Sequence, residues 1–191
     1  MEEIKLSNDV IEQIKDFGHD DYGDYSYLRL TKEQELLIDK LILNEELKER
    51  YKKHGLCKEC KQPNTGGYFN DSWRGWCQSC NAKRFQQNFK NWTSGNRDID
   101  WFIQKTQLKA KMYYEVIEWV KYDRFEDVEY LAKGGFGTTY KAIWKDGYIA
   151  YWNSENNQWE RLGEHKVALK CLHNSQDITT EFLREVRSFS F

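Results

Sequence analysis

The stretch Tyr130-Leu131-Ala132-Lys133-Gly134-Gly135-Phe136-Gly137-Thr138-Thr139-Tyr140-Lys141-Ala142 sets the reading of the second half of this chain. Three glycines within four positions, flanked on both sides by apolar and aromatic residues, predict two antiparallel strands joined by a tight hairpin. Glycines have no Cβ to block approach, so such a hairpin can bring backbone N–H groups against phosphate oxygens. Taken alone, the segment reads as an ordinary glycine-rich hairpin.

Two features downstream change its weight. Val167-Ala168-Leu169-Lys170 is an apolar strand ending in a lysine, an odd place for a residue that serves only solubility. Facing inward, that lysine would meet the α- and β-phosphates of a nucleotide. Glu181-Phe182-Leu183-Arg184-Glu185-Val186 then has an amphipathic helical pattern, with Phe182, Leu183 and Val186 on the buried side. Glu185 is far enough from Lys170 for the chain to turn and return as a helix beside the strand. A Lys170–Glu185 pair there would hold the ammonium at the phosphates. The ordinary alternative for each residue is a solvated surface charge.

Glycine hairpin, V-A-x-K strand and helix glutamate in this order resemble the N-lobe of eukaryotic protein kinases. More narrowly, the chain is similar to fungal kinase-like proteins in which a four-cysteine segment and a short helical linker precede the kinase domain. The kinase resemblance covers about 122–191, and the cysteine segment extends it back to about Thr31. It implies ATP as ligand and protein phosphorylation as activity. Carried over position by position, the nucleotide contacts fall on Leu131, Ala132, Lys133, Gly134, Gly135, Phe136, Gly137, Thr138, Thr139, Ala168 and Lys170. Ala168 would pack on the adenine, Lys170 would meet the phosphates, and Glu185 would be its partner, with Glu181 as the fallback. Two positions depart from the family pattern: Ala132 stands for the first glycine, and Thr139 for the valine that follows the loop.

Phosphoryl transfer in that family also needs an aspartate that orients the substrate hydroxyl and another that holds magnesium. No H-R-D sequence occurs here, and only Val186 to Phe191 follows the helix glutamate. The expectation is therefore a truncated N-lobe with no complete catalytic set and no magnesium site, inactive alone. Asp16-Phe17-Gly18 spells the magnesium-binding tripeptide of kinases, but it precedes the glycine hairpin and fits a helix end with Gly18 as the stop.

Five cysteines occur, four of them in Cys57-Lys58-Glu59-Cys60 and Cys77-Gln78-Ser79-Cys80. Two C-x-x-C pairs separated by this interval have zinc-site spacing. Each pair can offer two thiolates to one side of a tetrahedral ion, and four thiolates leave zinc no open position, so the role is structural. Two redox dithiols, or cysteines that bind nothing, are the alternatives. Cys171 is expected to be a small buried strand residue.

Upstream, Ser7 caps a helix bearing Val10, Ile11, Ile14 and Phe17, and His19 to Leu30 is an acidic, tyrosine-rich connection. Thr31-Lys32-Glu33-Gln34 has capping-box spacing and opens an amphipathic helix to about Tyr51. Phe85, Phe89 and Trp92 recur at helical spacing, and a further helix covers Asp98 to about Lys111. The long connection from Trp144 to Val167, aromatic around Asn156-Asn157, reads as an inserted hairpin.

The fold class is thus α+β. The expected organisation is an N-terminal helix and connection (1–30), a helix plus four-cysteine zinc-ribbon-like module (31–95), a helical linker (96–121) and the incomplete N-lobe (122–191).

With 191 residues, 16% of them aromatic, the chain is too rich in aromatics for a solvated coil. A net charge of -2 gives no global pull toward nucleic acid or anionic membrane. There is no bilayer-spanning apolar run and the N-terminus lacks a signal peptide's apolar core, so a cytoplasmic, soluble protein is expected. Two other functions compete with the kinase reading. One is a non-catalytic adaptor with protein partners. The other is a zinc-ribbon nucleic-acid binder using Lys48, Arg50, Lys52, Lys53, Lys58 and Lys61 with Trp73 and Trp76, in which the aromatics read better as the module's core.

Overall fold

Ser7 and Thr31 open the first two helices as their side chains dictate. A computed structural model of the chain describes residues 4–17, 30–66, 75–135 and 137–173. Gly18, the connection 19–29, Trp73, Phe136, Glu181 and Glu185 lie outside them. Helix α1 is Asn8–Ile14, with the Ser7 side chain accepting from the Val10 N–H. Helix α2 is Lys32–Leu41 and carries both halves of the capping box: Gln34 N–H donates to Thr31 Oγ1 at 3.2 Å, and Thr31 N–H donates to Gln34 Oε1 at 2.9 Å.

The single helix expected to run on to Tyr51 is instead two. Helix α3, Glu45–His54, starts afresh because Asn44 Oδ1 accepts from Leu47 N–H at 3.0 Å, an N-cap that outcompetes helix continuation. The break lets the two helices share one core of Ile14, Ile38, Ile42, Leu47 and Tyr51. Tyr51, fully buried, donates its hydroxyl to the Ile14 carbonyl at 2.7 Å and so ties α3 to the end of α1.

Helix α4 is Gln78–Asn88 and helix α5 is Arg97–Lys109, the latter capped by Asn96 Oδ1, which accepts from Asp98 N–H at 2.9 Å. Among the described residues, five antiparallel strands follow: β1 Phe125–Lys133, β2 Gly137–Trp144, β3 Ile149–Asn153, β4 Gln158–Arg161 and β5 His165–Leu172. They form a three-stranded sheet ordered β1-β2-β5 and a separate hairpin β3-β4. The inserted hairpin read from the aromatic connection is that β3–β4 pair, with Trp152 opposite Trp159. The chain is therefore mixed helix and antiparallel sheet.

The chain divides into two compact units, Met1–Arg84 with Leu108–Met112, and Phe85–Gln107 with Tyr113–Phe191. In the second, Phe85, Ile103, Ala142, Trp144, Ile149 and Ala150 are buried. No helix among the described residues is long and apolar enough to cross a membrane.

Candidate metal centre and glycine hairpin

The four cysteines come together in the first unit. Their sulfur atoms all lie within 4.8 Å of one another. Cys57 Sγ is 3.9 Å from Cys80 Sγ, and Cys60 Sγ is 3.6 Å from Cys77 Sγ. A tetrahedral zinc with Zn–S bonds of about 2.3 Å has sulfurs about 3.8 Å apart, so the observed edges bracket the ideal value. The donor set and its spacing are compatible with zinc.

The two pairs are held differently. Cys57–Cys60 forms a knuckle: Lys61 N–H donates to Cys57 O at 3.0 Å, and Cys57 N–H donates to Gln62 O at 2.8 Å. The turn closes through Lys61 at φ 56°, a left-handed conformation that an L residue adopts under constraint. Flanking bridges Leu56–Pro63 and Gly66–Trp76 bring the chain back. The second pair sits at the start of a helix instead of on a turn. Cys77 directly precedes α4 and Cys80 lies in its first turn.

Hydrogen bonding sorts the thiols. S–H groups of Cys60, then Cys77 and Cys80, hold Cys57 below the ordinary thiol range. At Cys60 the bond with Cys57 acts upward, but those from Cys77 and Cys80 outweigh it and bring the thiol to about 7. Cys77 and Cys80 are raised, first by their bonds with Cys57 and then by those with Cys60. Four sulfurs this close cannot all ionise unless a cation offsets the charge.

The walls of this site combine residues the sequence did not single out, Thr65, Gln62 and Leu6, with Trp76, the expected core aromatic. Thr65 Oγ1 accepts from Gln78 N–H at 3.1 Å, capping α4 from a distant loop. Gln62 and the Leu6 backbone exchange two hydrogen bonds, at 2.7 and 3.1 Å. Trp76 is buried and donates its indole N–H to Ala110 O at 2.9 Å. Arg50 is spent on the carbonyls of Pro63 and Asn64, and Lys48 and Lys52 both pair with Asp39. Much of the proposed basic patch is thus engaged within the unit.

In the second unit, the glycine segment forms the expected hairpin, closed by Gly134 N–H donating to Gly137 O at 2.8 Å. Register places Thr139 opposite Lys170 and Lys141 opposite Ala168, while Ala132 lies opposite Thr139 on the other side. Directly opposed residues share a face, so Ala132, Thr139, Ala168 and Lys170 lie on one surface at the hairpin end of the sheet. Leu131 is the extra residue where β1 slips by one against β2. Lys133 and Thr138 are paired on the opposite face.

Only one glycine of the turn is required by packing. A Cβ on Gly137 would collide with the Cys171 carbonyl and lie 3.3 Å from Leu172 Cα. One on Gly135 would meet nothing within 4 Å. Lys170 is exposed, and among the described residues no carboxylate lies within ion-pair distance of it. Its expected partner Glu185 lies outside the described residues. Cys171 corrects an expectation: it is exposed, because β5 is an edge of the sheet among the described residues and no element among them covers that position.

A partly exposed ion pair also escaped the sequence reading. Arg161 on β4 binds Glu118 through both guanidinium nitrogens and donates to Gly147 O at 2.7 Å. Burial pushes the Glu118 carboxyl up, and the Arg161 hydrogen bond and charge offset this only in part. The partners are far apart in the chain, so no periodic signal could have joined them.

Searches against protein-family models, curated proteins and solved structures found no match to this chain.

Proposed function

We propose that the second unit binds a nucleotide in the manner of a protein-kinase N-lobe, and that the first unit carries a structural zinc. The observation that carries the nucleotide reading is the register of the sheet. It aligns Ala132, Thr139, Ala168 and Lys170 on one face beside the glycine turn. Those are the positions that the resemblance assigns to adenine and phosphate contact.

Two further observations support it. The first is that the fold has no steric need for a glycine at Gly135, so the missing side chain is available to an approaching phosphate. The second is charge. On the face that holds Lys170, Glu129 is matched by Lys141 at 2.8 Å and Glu126 by Lys145 at 2.7 Å. Lys166 and Lys170 are left on β5 without a carboxylate within ion-pair reach among the described residues, which favours an anionic ligand at that edge. The bulge at Leu131, with Ala132 in place of the first glycine, shapes how the loop approaches the ligand.

The zinc reading rests on the sulfur geometry. Its role is to cross-link the knuckle to the start of α4, with all four positions filled by protein.

The test is a titration of the full chain with ATP and its magnesium complex, followed by calorimetry. Lys170→Met should weaken binding at least about tenfold, as expected for loss of a charge-assisted phosphate contact. Lys166→Met, on the same face but about 13 Å along the strand, should change it less than about threefold. Equal affinity in wild type and Lys170→Met would end the nucleotide reading. Zinc is counted independently, at one per chain, by elemental analysis.

A further inference from the structure

Helix α4 is poorly equipped to stand by itself. Its residues, Gln78 to Asn88, are mostly polar, and an isolated helix of this length is marginal in water. Its N-terminus is fixed from outside: Gln78 N–H is bound by Thr65 Oγ1, and Cys77 and Cys80 belong to the sulfur cluster. Yet one stripe of the segment is buried. Cys77, Asn81 and Phe85 follow at four-residue intervals, the spacing that aligns side chains along one helix face.

The far end of that stripe is aromatic. Phe85 stacks on Trp159 with ring centroids 4.7 Å apart and an interplanar angle of 17°. Trp159 in turn meets Trp152 edge-on at 5.2 Å, and these two tryptophans are the cross-strand pair of the β3–β4 hairpin. A metal ligand and the ring that seats the hairpin therefore belong to the same short helix.

We propose that metal binding by Cys57, Cys60, Cys77 and Cys80 orders α4 through Phe85 and so fixes the β3–β4 hairpin. Metal occupancy is then read out in the second unit as well as in the cysteine module. The inference rests on the zinc reading of the cysteines and is independent of the nucleotide reading. The competing anchor is Arg84, which binds Glu59 of the knuckle and Asn81 Oδ1. Glu59 is half exposed, and an ion pair at such a position adds little to helix stability. Four metal–thiolate bonds are a far stronger tether, since structural zinc commonly decides whether a small module folds.

The test uses the full chain under reducing conditions, first with zinc removed by chelation and then with zinc alone restored. Hydrogen exchange of the amides in 149–161 is followed throughout. Exchange should accelerate about tenfold or more without zinc and recover on its return. Phe85→Ala should still bind one zinc per chain, yet show fast exchange in 149–161 whether or not the metal is present.

Unchanged exchange in 149–161 on chelation, with one zinc bound beforehand, overturns the coupling while leaving the zinc site intact. A rise of equal size in every strand shows general unfolding and overturns the route through Phe85. So does a hairpin that still responds to zinc in Phe85→Ala. Absence of zinc binding by direct count removes the metal reading itself, and this inference with it.

Discussion

Gly135 and Gly137 are two residues apart in the same turn, yet their substitution by alanine should have opposite effects on stability. At Gly137 the new Cβ would collide with the Cys171 carbonyl oxygen, and would lie 3.2 Å from the carbonyl carbon and 3.3 Å from Leu172 Cα. These are backbone atoms of a paired strand, so relief requires β5 to retreat by roughly 1 Å toward ordinary contact distances. Overpacking of this kind costs about 1–3 kcal/mol, and weakening the ladder bond at the Gly137–Leu172 end adds about 1 kcal/mol. Gly137→Ala should therefore destabilise the second unit by about 2–4 kcal/mol. With a urea slope of about 2 kcal/mol per molar, the midpoint falls by roughly 1–2 M. At Gly135 the Cβ meets nothing and the backbone is not in the left-handed region, so alanine restricts mainly the unfolded chain. Gly135→Ala should raise stability by about 0.4–1 kcal/mol. If phosphate approaches the turn there, the same variant should lose nucleotide affinity despite its added stability. Urea denaturation followed by tryptophan emission, with a parallel ATP titration, separates these effects. Equal stability changes in the two variants would refute the steric reasoning. An unimpaired ATP affinity in Gly135→Ala would remove that glycine from the ligand site.

Other residues yield simpler tests. Tyr51→Phe removes one of two donors to the Ile14 carbonyl, which keeps the Phe17 N–H at 3.1 Å, and should cost about 0.5–1.5 kcal/mol, measured by denaturation of the full chain. Thr65→Ala removes the distant cap of α4 and should cost about 1 kcal/mol, with faster exchange of the Gln78 amide as its signature. Glu118 carries a pH dependence. Burial raises its folded-state pKa above the ordinary glutamate value of 4.5, so the folded protein retains a proton that the unfolded chain releases. That contribution is present below pH 4.5 and is lost as pH rises through the folded value, so stability should fall on that side. Glu118→Gln should flatten the slope in denaturation series across this range, and an unchanged slope would show that another group sets it.

What the sequence disclosed was mostly local. Ser7 and Thr31 announce helix starts through their own side chains, and the capping box of Thr31 and Gln34 forms as spelled. The glycine hairpin and the inserted β3–β4 pair follow from turn residues between apolar runs. The cysteine spacing foretold a cluster, because each pair is close in the chain and only one loop needs to close. What was hidden depends on partners distant in sequence. Asn44 could have continued a helix, since Leu37, Ile38, Leu41 and Ile42 already form a stripe. Only the shared core makes its capping conformation the better one. Thr65 capping Gln78 and Glu118 binding Arg161 leave no trace in periodicity. Cys171 looked like a core residue because cysteine is usually buried, but among the described residues its strand lies at a sheet edge.

The sheet is unevenly supported, and this bears on where a ligand can act. Ala142 and Trp144 at one end of β2 are buried, together with Ile149 and Ala150 beyond them. At the glycine end, Glu129 through Lys133 on β1 are all exposed, as are Lys170 and Cys171 on β5. Backbone hydrogen bonds there are shielded by little apolar cover, so that end should open locally at low cost while the other opens only with the unit. Ligand-binding loops are drawn from such regions because closing over a ligand requires prior freedom. Amide exchange should therefore be fastest at 131–135 and 170–172 and slowest near 142–150. Saturating ATP should slow the first group selectively and leave the second unchanged. A flat exchange profile along the sheet, or ATP protection confined to 142–150, would mean that neither the glycine turn nor Lys170 is where the nucleotide engages.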